Sequence, residues 1–322
     1  MAVKDNVAAL LDERRGSFVS GEELAERIGC TRGAVWKAVR ALQKDGWSIT
    51  AVTNRGYCLE TSADVLSEAG VRRYLGECGV FPQVFKCVDS TNIRLRELAE
   101  SGTPEGTAVI AGEQTKGRGR LGRSFFSPSD TGLYMSLLLR TSIPAQEAVL
   151  ITTAAAVAVA EAIEEVSGTS CGIKWVNDVY INGRKVCGIL TEASMSLENG
   201  GLEYAVLGIG INAYEPEGGF PEEIKNTAGA IFDSPAHDAR NRLAGEVLRR
   251  FMSYYRFLED RLFLEGYRKR LIWRGERINV ISGKTAYSCI LEDIDESCRL
   301  LVRTDDGEQK TILSGEISIR KG

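Results

Sequence analysis

Gly117-Arg118-Gly119-Arg120-Leu121-Gly122-Arg123 is the most informative stretch of this chain. Read as Gly117-x-Gly119-x-x-Gly122, it is a dinucleotide-binding fingerprint, which needs a strand before it and a helix opening inside it. A strand is expected over Thr107 to Glu113. No helix is expected afterwards, because Ser124-Phe125-Phe126-Ser127-Pro128-Ser129-Asp130 reads as aromatic residues followed by a turn. The Rossmann reading therefore fails here. Glycines let backbone approach a ligand closely, and arginines offer charged planar forks that suit carboxylate and phosphate. Together they describe a loop that folds over a reactive polyanion and shields it from water. The competing reading is a solvated basic loop that binds nothing.

The rest of the chain bounds what such a loop could serve. Its 322 residues are enough for two or three domains. A net charge of −4 argues against a protein that coats nucleic acid throughout, though not against one basic module. Met1 to Leu11 carries no secretory pattern. The most apolar run, Ala148 to Ala160, is too short to span a bilayer and reads as a core helix, so a cytoplasmic protein is expected. None of the eight cysteines forms a Cys-x-x-Cys pair, which disfavours a zinc ribbon or redox motif. They read as buried small hydrophobes. The single histidine, His237, lies in a polar loop and is a poor basis for a Ser-His-Asp triad.

The first sixty residues predict a DNA-reading module. Val7 to Asp12 has helical spacing. Ser20 with Glu23 makes a capping box for a helix reaching Ile28. After a turn at Gly29-Cys30, Thr31 caps a third helix with Ala34, Val35, Ala38, Val39 and Leu42 on one face. Arg32, Lys37, Arg40 and Lys44 lie off that face. Ser48 to Val52 and Tyr57 to Leu59 form a hairpin whose tip carries Arg55. This is a winged helix-turn-helix, and Thr31, Arg32, Lys37, Arg40, Lys44 and Arg55 are its expected DNA contacts. Nine Lys/Arg face eight Asp/Glu over residues 1–60, so binding should be directed by the third helix and modest per protomer. The other reading is a small helical protein-contact module.

From Ser62 to about Gly70 a short polar or helical connection is expected. Strands are then expected over Gln83–Val88, Tyr134–Arg140, Gly172–Trp175, Val179–Ile181, Lys185–Glu192 and Tyr204–Ile211. Helices are expected over Thr91–Glu100, Ala145–Val166 and within Asp238–Trp273. Short alternating strands from Arg277 to Ile319 suggest a small barrel. The fold class is thus α+β, divided as residues 1–65, 66–272 and 273–322.

Four central segments look like one site. Asp89-Ser90-Thr91-Asn92 sits where a strand meets a helix N-terminus and can bind a polar ring or anion, or simply cap the helix. Gln114 precedes the arginine-glycine loop. Lys174-Trp175-Val176-Asn177-Asp178 groups a cation, an amide and a carboxylate. Lys185 opens the apolar strand Val186-Cys187-Gly188-Ile189-Leu190, where a buried cation is costly unless it meets an anion. At an effective dielectric of 20, a cation about 4 Å from phosphate gains about 4 kcal/mol. Several such cations can stabilise charge at an α-phosphate without a nucleophilic side chain.

In order along the chain, these motifs resemble the biotin–protein ligases. The adenylate loop of that family has the form Gly-Arg-Gly-Arg-x-Gly-Arg, as in residues 117–123. Its Lys-Trp-Pro-Asn-Asp block is similar to residues 174–178, with Val176 in place of proline. Its lysine followed by Gly-Ile-Leu is similar to Lys185–Leu190, and its Gly-x-Gly-Ile-Asn to Gly208–Asn212. Gly315-Glu316-Ile317-Ser318-Ile319-Arg320 is similar to its closing strand. With the winged helix, the resemblance covers nearly the whole chain and is to the two-function form, ligase and biotin-operon repressor.

The resemblance implies a class II synthetase-like mixed α/β catalytic domain and an SH3-like β-barrel. It implies biotin and ATP as substrates with Mg²⁺, biotinoyl-5′-AMP as intermediate and corepressor, and a lysine of the biotin carboxyl carrier protein of acetyl-CoA carboxylase as acceptor. It also implies an adenylate-dependent homodimer on operator DNA. Ser90, Thr91, Asn92 and Gln114 would contact the biotin head. Arg118, Gly119, Arg120 and Lys185 would contact its carboxylate and the phosphate, with Lys185, Arg118 and Arg120 as the catalytic group. Arg123, Phe125, Lys174, Asn177, Asp178, Asn212, Glu316 and Arg320 would bind nucleotide. Phe125 stands where many relatives have tryptophan, which reduces stacking area. A lipoate–protein ligase shares the synthetase-like core, and a non-enzymatic sensor would share the DNA module. The arginine loop and Lys185 favour the biotin enzyme.

Overall fold

The computed structural model describes residues 3–44, 46–61, 64–141, 143–144, 147–195, 202–282, 285–313 and 317–321. It begins with three helices, α1 (Val3–Glu13), α2 (Gly21–Ile28) and α3 (Arg32–Lys44), and a hairpin of β1 (Ile49–Val52) and β2 (Gly56–Leu59). The expected caps form. Ser20 Oγ accepts from the Glu23 N–H at 3.0 Å, and Thr31 Oγ1 accepts from the Ala34 N–H at 3.2 Å. Gly29 closes α2 in the left-handed region at φ 74°, where a side chain would be strained. Val35, Ala38, Val39 and Leu42 face a core with Val7, Leu11 and Leu24. Arg32, Lys37, Arg40 and Lys44 face solvent.

A linker leads to α4 (Glu68–Leu75), the ordered end of the expected connection. The central unit then runs β3 (Phe81–Phe85), α5 (Thr91–Glu100), β4 (Thr107–Ala111), β5 (Gly132–Leu139), α6 (Val149–Ser167), β6 (Gly172–Lys174), β7 (Asp178–Ile181), β8 (Arg184–Met195), β9 (Leu202–Asn212), α7 (Ala239–Tyr255) and α8 (Leu264–Arg270). Its seven strands pair in the order β3-β4-β5-β9-β8-β7-β6. Only β3 and β4 are parallel; the other pairs are antiparallel. Leu95 and Ala99 of α5 pack on one face with Val109, Leu138 and Val206. Residues of α6 and α7 fill the other face. The almost wholly apolar surface of α6 is explained by burial on several sides, since twelve of its residues are buried.

The C-terminal strands β10 (Arg277–Ser282), β11 (Thr285–Ile294), β12 (Leu300–Arg303), β13 (Gln309–Ile312) and β14 (Ile317–Lys321) form a five-stranded antiparallel sheet. Their order is β13-β12-β11-β10-β14. The core of this sheet is continuous with that of the central unit. Trp175 Nε1 donates to the Cys298 carbonyl at 2.9 Å across the junction. Six cysteines are buried, Cys30 is half-buried and Cys87 is exposed. Among the described residues no helix is long and apolar enough to cross a membrane.

Buried charge joins the winged helix to the central unit. Asp12 of α1 pairs with Arg15 at 2.5 Å and with Arg73 of α4. Asp238, just before α7, receives Arg15 at 3.3 Å, Arg73 at 3.0 Å and the Tyr74 hydroxyl at 2.8 Å. In the linker, Asp64 accepts from Arg240 Nε at 3.0 Å and from the Tyr214 hydroxyl at 2.5 Å. His237 belongs to this contact, with Nδ1 3.2 Å from Arg15 Nη1.

Candidate active site

The arginine-glycine stretch forms a hairpin-like loop over the sheet. The Gly119 N–H donates to the Arg123 carbonyl at 2.7 Å, and the Phe125 N–H donates to the Gly117 carbonyl at 2.9 Å. Leu121 and Gly122 turn the tip at φ 57° and 73°. No dinucleotide-binding helix follows: residues 120–122 make one short 3₁₀ turn. The loop covers a cleft of about 140 Å³ lined by Arg118, Arg120, Lys174, Asn177, Asp178 and Lys185, among others.

Each charged group in the cleft is placed by an identifiable local feature. Lys185 pairs with Asp178 at 2.6 Å. That contact is ionic, since Asp178 Oδ1 is buried with no aligned hydrogen bond. A β-bulge puts Lys185 there: the β7–β8 register passes from Val179↔Cys187 to Tyr180↔Lys185, leaving Val186 without an opposite partner. An extra residue re-aims side chains across a strand, so Lys185 shares the cleft with Gly188. Asn177 is clamped to β8, donating to the Ile189 carbonyl at 2.8 Å, and its Oδ1 receives Arg120 at 3.0 Å. Burial lowers the Arg120 pKa from its ordinary value; Asp178 opposes the shift and Arg123 adds to it. Lys174 stands 5.4 Å from the Trp273 ring. The Trp175–Val176 peptide is cis.

A smaller polar cavity of about 20 Å³ adjoins the cleft and holds Ser90, Thr91, Asn92 and Gln114. Helix capping alone does not account for this group, because the Ser90 side chain makes no cap bond. Instead Gln114 Oε1 accepts from the Thr91 N–H at 2.8 Å and from its hydroxyl at 3.1 Å. The Ser136 hydroxyl lies 2.8 Å from Thr91 Oγ1 and 2.5 Å from Asn92 Oδ1. Arg118, Phe125, Gly188 and Leu190 border both cavities.

Glycines make the floor. Gly188 pairs with Gly210 across β8 and β9, and Leu190 with Gly208. A Cβ at Gly210 would stand 2.6 Å from the Phe125 ring, and one at Gly208 would stand 2.1 Å from Asn92 Oδ1. Side chains at either place would displace the residues above.

Most of the expected site residues thus meet. Asn212 borders neither cavity, and its amide donates to the Gly229 carbonyl at 3.0 Å. Glu316 and the side chain of Arg320 lie outside the described residues, although Ile319 of β14 reaches the cleft. Of the residues expected to contact DNA, Arg55 stacks 4.1 Å from the Phe18 ring and Arg40 lies 5.7 Å from Trp36. Two contributors escaped the sequence reading, Ser136 and Glu192. Glu192 was open to detection, because it shares the alternation of Gly188 and Leu190 on β8 and is a carboxylate on an apolar face. Ser136 lies inside a wholly buried strand and gave no such signal.

A basic loop above a glycine floor, beside a polar pocket, suits a ligase that activates an acid on a nucleotide. Residues 84–212 match the Biotin/lipoate A/B protein ligase family, residues 4–58 an HTH domain, and residues 275–320 the biotin protein ligase C-terminal domain. The chain is 35% identical to the bifunctional ligase/repressor BirA of Bacillus subtilis, covering 98% of both chains. It is 29% identical to that of Escherichia coli, over 95% of this chain and 94% of the other. A biotin protein ligase from Aquifex aeolicus, solved with biotin and ATP, aligns with TM-score 0.62 and 31% identity, over 75% of this chain and 99% of that one. The chain belongs to the biotin/lipoate protein ligase family, in the form that carries an N-terminal DNA-reading domain.

Proposed function

We propose that this protein is a biotin–protein ligase that also represses transcription. The observation that carries the reading is the arginine-glycine loop closed over Lys185 and Asp178, next to the Ser90–Asn92 and Gln114 pocket. Biotin carboxylate attacks the α-phosphate of ATP, forming the P–O bond of biotinoyl-5′-AMP and expelling pyrophosphate. A lysine amine of the carrier domain then attacks the carbonyl carbon, forming the amide and releasing AMP. A relative from Mycobacterium tuberculosis, 32% identical over 70% of this chain, is a biotin–[acetyl-CoA-carboxylase] ligase, which supports that carrier as the acceptor.

Ser90, Thr91, Asn92 and Gln114 hold the biotin head by hydrogen bonds. Arg118, the Gly119 backbone and Arg120 meet the carboxylate and phosphate, and Lys185 stabilises charge on the pentavalent α-phosphate. Arg123, Phe125, Lys174, Asn177, Asp178, Glu316 and Arg320 serve the nucleotide, and Asn212 acts through the backbone at Gly229. Mg²⁺ would be held chiefly by the ATP phosphates and would neutralise their charge. A single carboxylate such as Asp178 fits an ion that keeps most of its waters and phosphate ligands.

Residues 1–65 form the DNA domain, 66–272 the catalytic domain and 273–322 a barrel of SH3-like type. Thr31, Arg32, Lys37, Arg40, Lys44 and Arg55 contact operator DNA. Ordering of the loop by the adenylate favours a homodimer that spans two half-sites, and both roles are exercised in the cytoplasm. The deciding experiment is biotin-dependent pyrophosphate release from ATP, with mass spectrometry for retained biotinoyl-AMP and lipoate as competing acid. Release with lipoate alone, or with neither acid, would overturn the assignment.

A further inference from the structure

Glu192 makes more contacts to the candidate site than any motif accounts for. Its side chain, 20% exposed, stands on β8 beyond Leu190. Oε1 is 2.8 Å from Arg96 of α5 and 3.3 Å from Arg118 of the loop. Oε2 accepts from Asn92 Nδ2 at 2.8 Å. That last bond fixes the amide: with its donor end on Glu192, Asn92 turns Oδ1 toward Ser136 and the floor at Gly208. One carboxylate therefore lies between two guanidinium groups and leaves one positive charge in excess. Arg118, which borders both cavities, is held through only one of Glu192's oxygens.

We propose that Glu192 is a positioning residue that sets affinity for the acid substrate, acting as an internal carboxylate that shares Arg118 with the carboxylate of the incoming acid. Arg96 draws Glu192 away from Arg118 and keeps the sharing loose, while the excess charge receives the substrate. The inference rests on the reading of Arg118 as a carboxylate contact. It makes Glu192 and its second partner, Arg96, act in opposite directions, as a purely structural role would not.

The test measures KM for biotin, KM for ATP and kcat in pyrophosphate release by the full chain. Glu192→Gln keeps an acceptor for Asn92 and removes the competing charge. It should lower the biotin KM about threefold, the scale of a partly exposed ion pair. Arg96→Met should raise the biotin KM by about the same factor, because Glu192 then turns wholly to Arg118. The KM for ATP should stay nearly constant in both. Arg118→Met separates the two layers of argument. If it leaves the biotin KM unchanged, the carboxylate reading of Arg118 falls, and this proposal with it. If it raises the KM while Glu192→Gln also raises it or leaves it unchanged, the role of Glu192 alone is wrong. Thermal melts of each variant identify any loss of folding, and Glu192→Asp, which shortens reach to Arg118 but keeps the charge, should move the biotin KM in the same direction as Glu192→Gln.

Discussion

Two clusters of arginine and carboxylate sit at opposite ends of the exposure scale. At the junction with the winged helix, Asp12, Asp238, Asp64 and Arg240 have side chains 5% exposed or less and Arg15 is 7% exposed, while Arg73, at the edge, is 39% exposed. Each carboxylate there has two or more partners. In the cleft, Arg118 is 42% exposed, Lys185 32% and Asp178 17%, and among the described residues Arg118 and Lys185 each form one ion pair. Charge removed from water is costly unless fully paired, so the junction is a fixed joint. Charge left half in water and loosely paired can exchange one partner for another at little cost. That is what a site receiving polyanions requires.

The largest expected effect tests the joint. Asp238→Ala takes one of two carboxylates from Arg15 and from Arg73, the acceptor of the Tyr74 hydroxyl, and one of the two acceptors of the Asn241 amide. Removing one partner from a buried charge group costs about 3–5 kcal/mol. Denaturant unfolding should show a loss of that size, with adenylate synthesis per folded molecule nearly unchanged. A loss below about 1 kcal/mol would mean that the junction is solvated and the contrast with the cleft is false.

Lys185→Ala inverts the pattern. Losing one positioned donor to a developing oxyanion lowers kcat about 10²- to 10³-fold. Stability should change less than in Asp238→Ala, because the Asp178 side chain is 17% exposed and that of Asp238 only 1%. Single-turnover formation of biotinoyl-AMP measures the effect directly. Undiminished turnover would remove Lys185 from the chemistry. Gly210→Ala should follow, since the added Cβ presses on Phe125. A displacement approaching 1 Å costs up to about 10²-fold, read as a fall in kcat/KM for ATP. An alanine tolerated without loss would show that the ring is not held by the glycine floor.

The same contrast explains what was legible in the sequence. Repetitive features were readable: the capped helices around Ser20 and Thr31, the apolar α6 and the alternating strands all follow from local periodicity. The place of the loop at the cleft was readable too, because Gly117–Arg123 is explicit in residue type. Contacts between distant segments were not. Asp64 with Arg240, and Asp12 with Arg73, are separated by 176 and 61 residues; only the fold pairs them. Lys185 was expected in a pocket, but its placement depends on a bulge at Val186 that no residue type announces. Asn212 carries a nucleotide-pocket expectation through its motif, yet the turn of chain at Gly229 takes its amide.

The smallest expected effect concerns the alkaline edge of stability. Burial first, and then the charge and hydrogen-bond acceptance of Asp64, raise the Tyr214 pKa well above its ordinary value of 10.0. A group whose folded pKa is raised contributes stability that is complete below its unfolded pKa and declines as pH climbs toward the folded one. The unfolded chain ionises Tyr214 near pH 10, while the folded joint keeps it protonated. Stability should therefore fall with pH above 10, and Tyr214→Phe should make that fall shallower by the share of one proton. Tyr134, Tyr255 and Tyr267 are also raised by burial, so most of the slope will remain. At neutral pH the variant should lose about 1 kcal/mol for the missing hydrogen bond to Asp64. A wild-type slope retained in full by Tyr214→Phe would mean that the hydroxyl already ionises in the folded protein. The joint would then be wet at the linker, and the division between buried clamp and open cleft would have to be redrawn there.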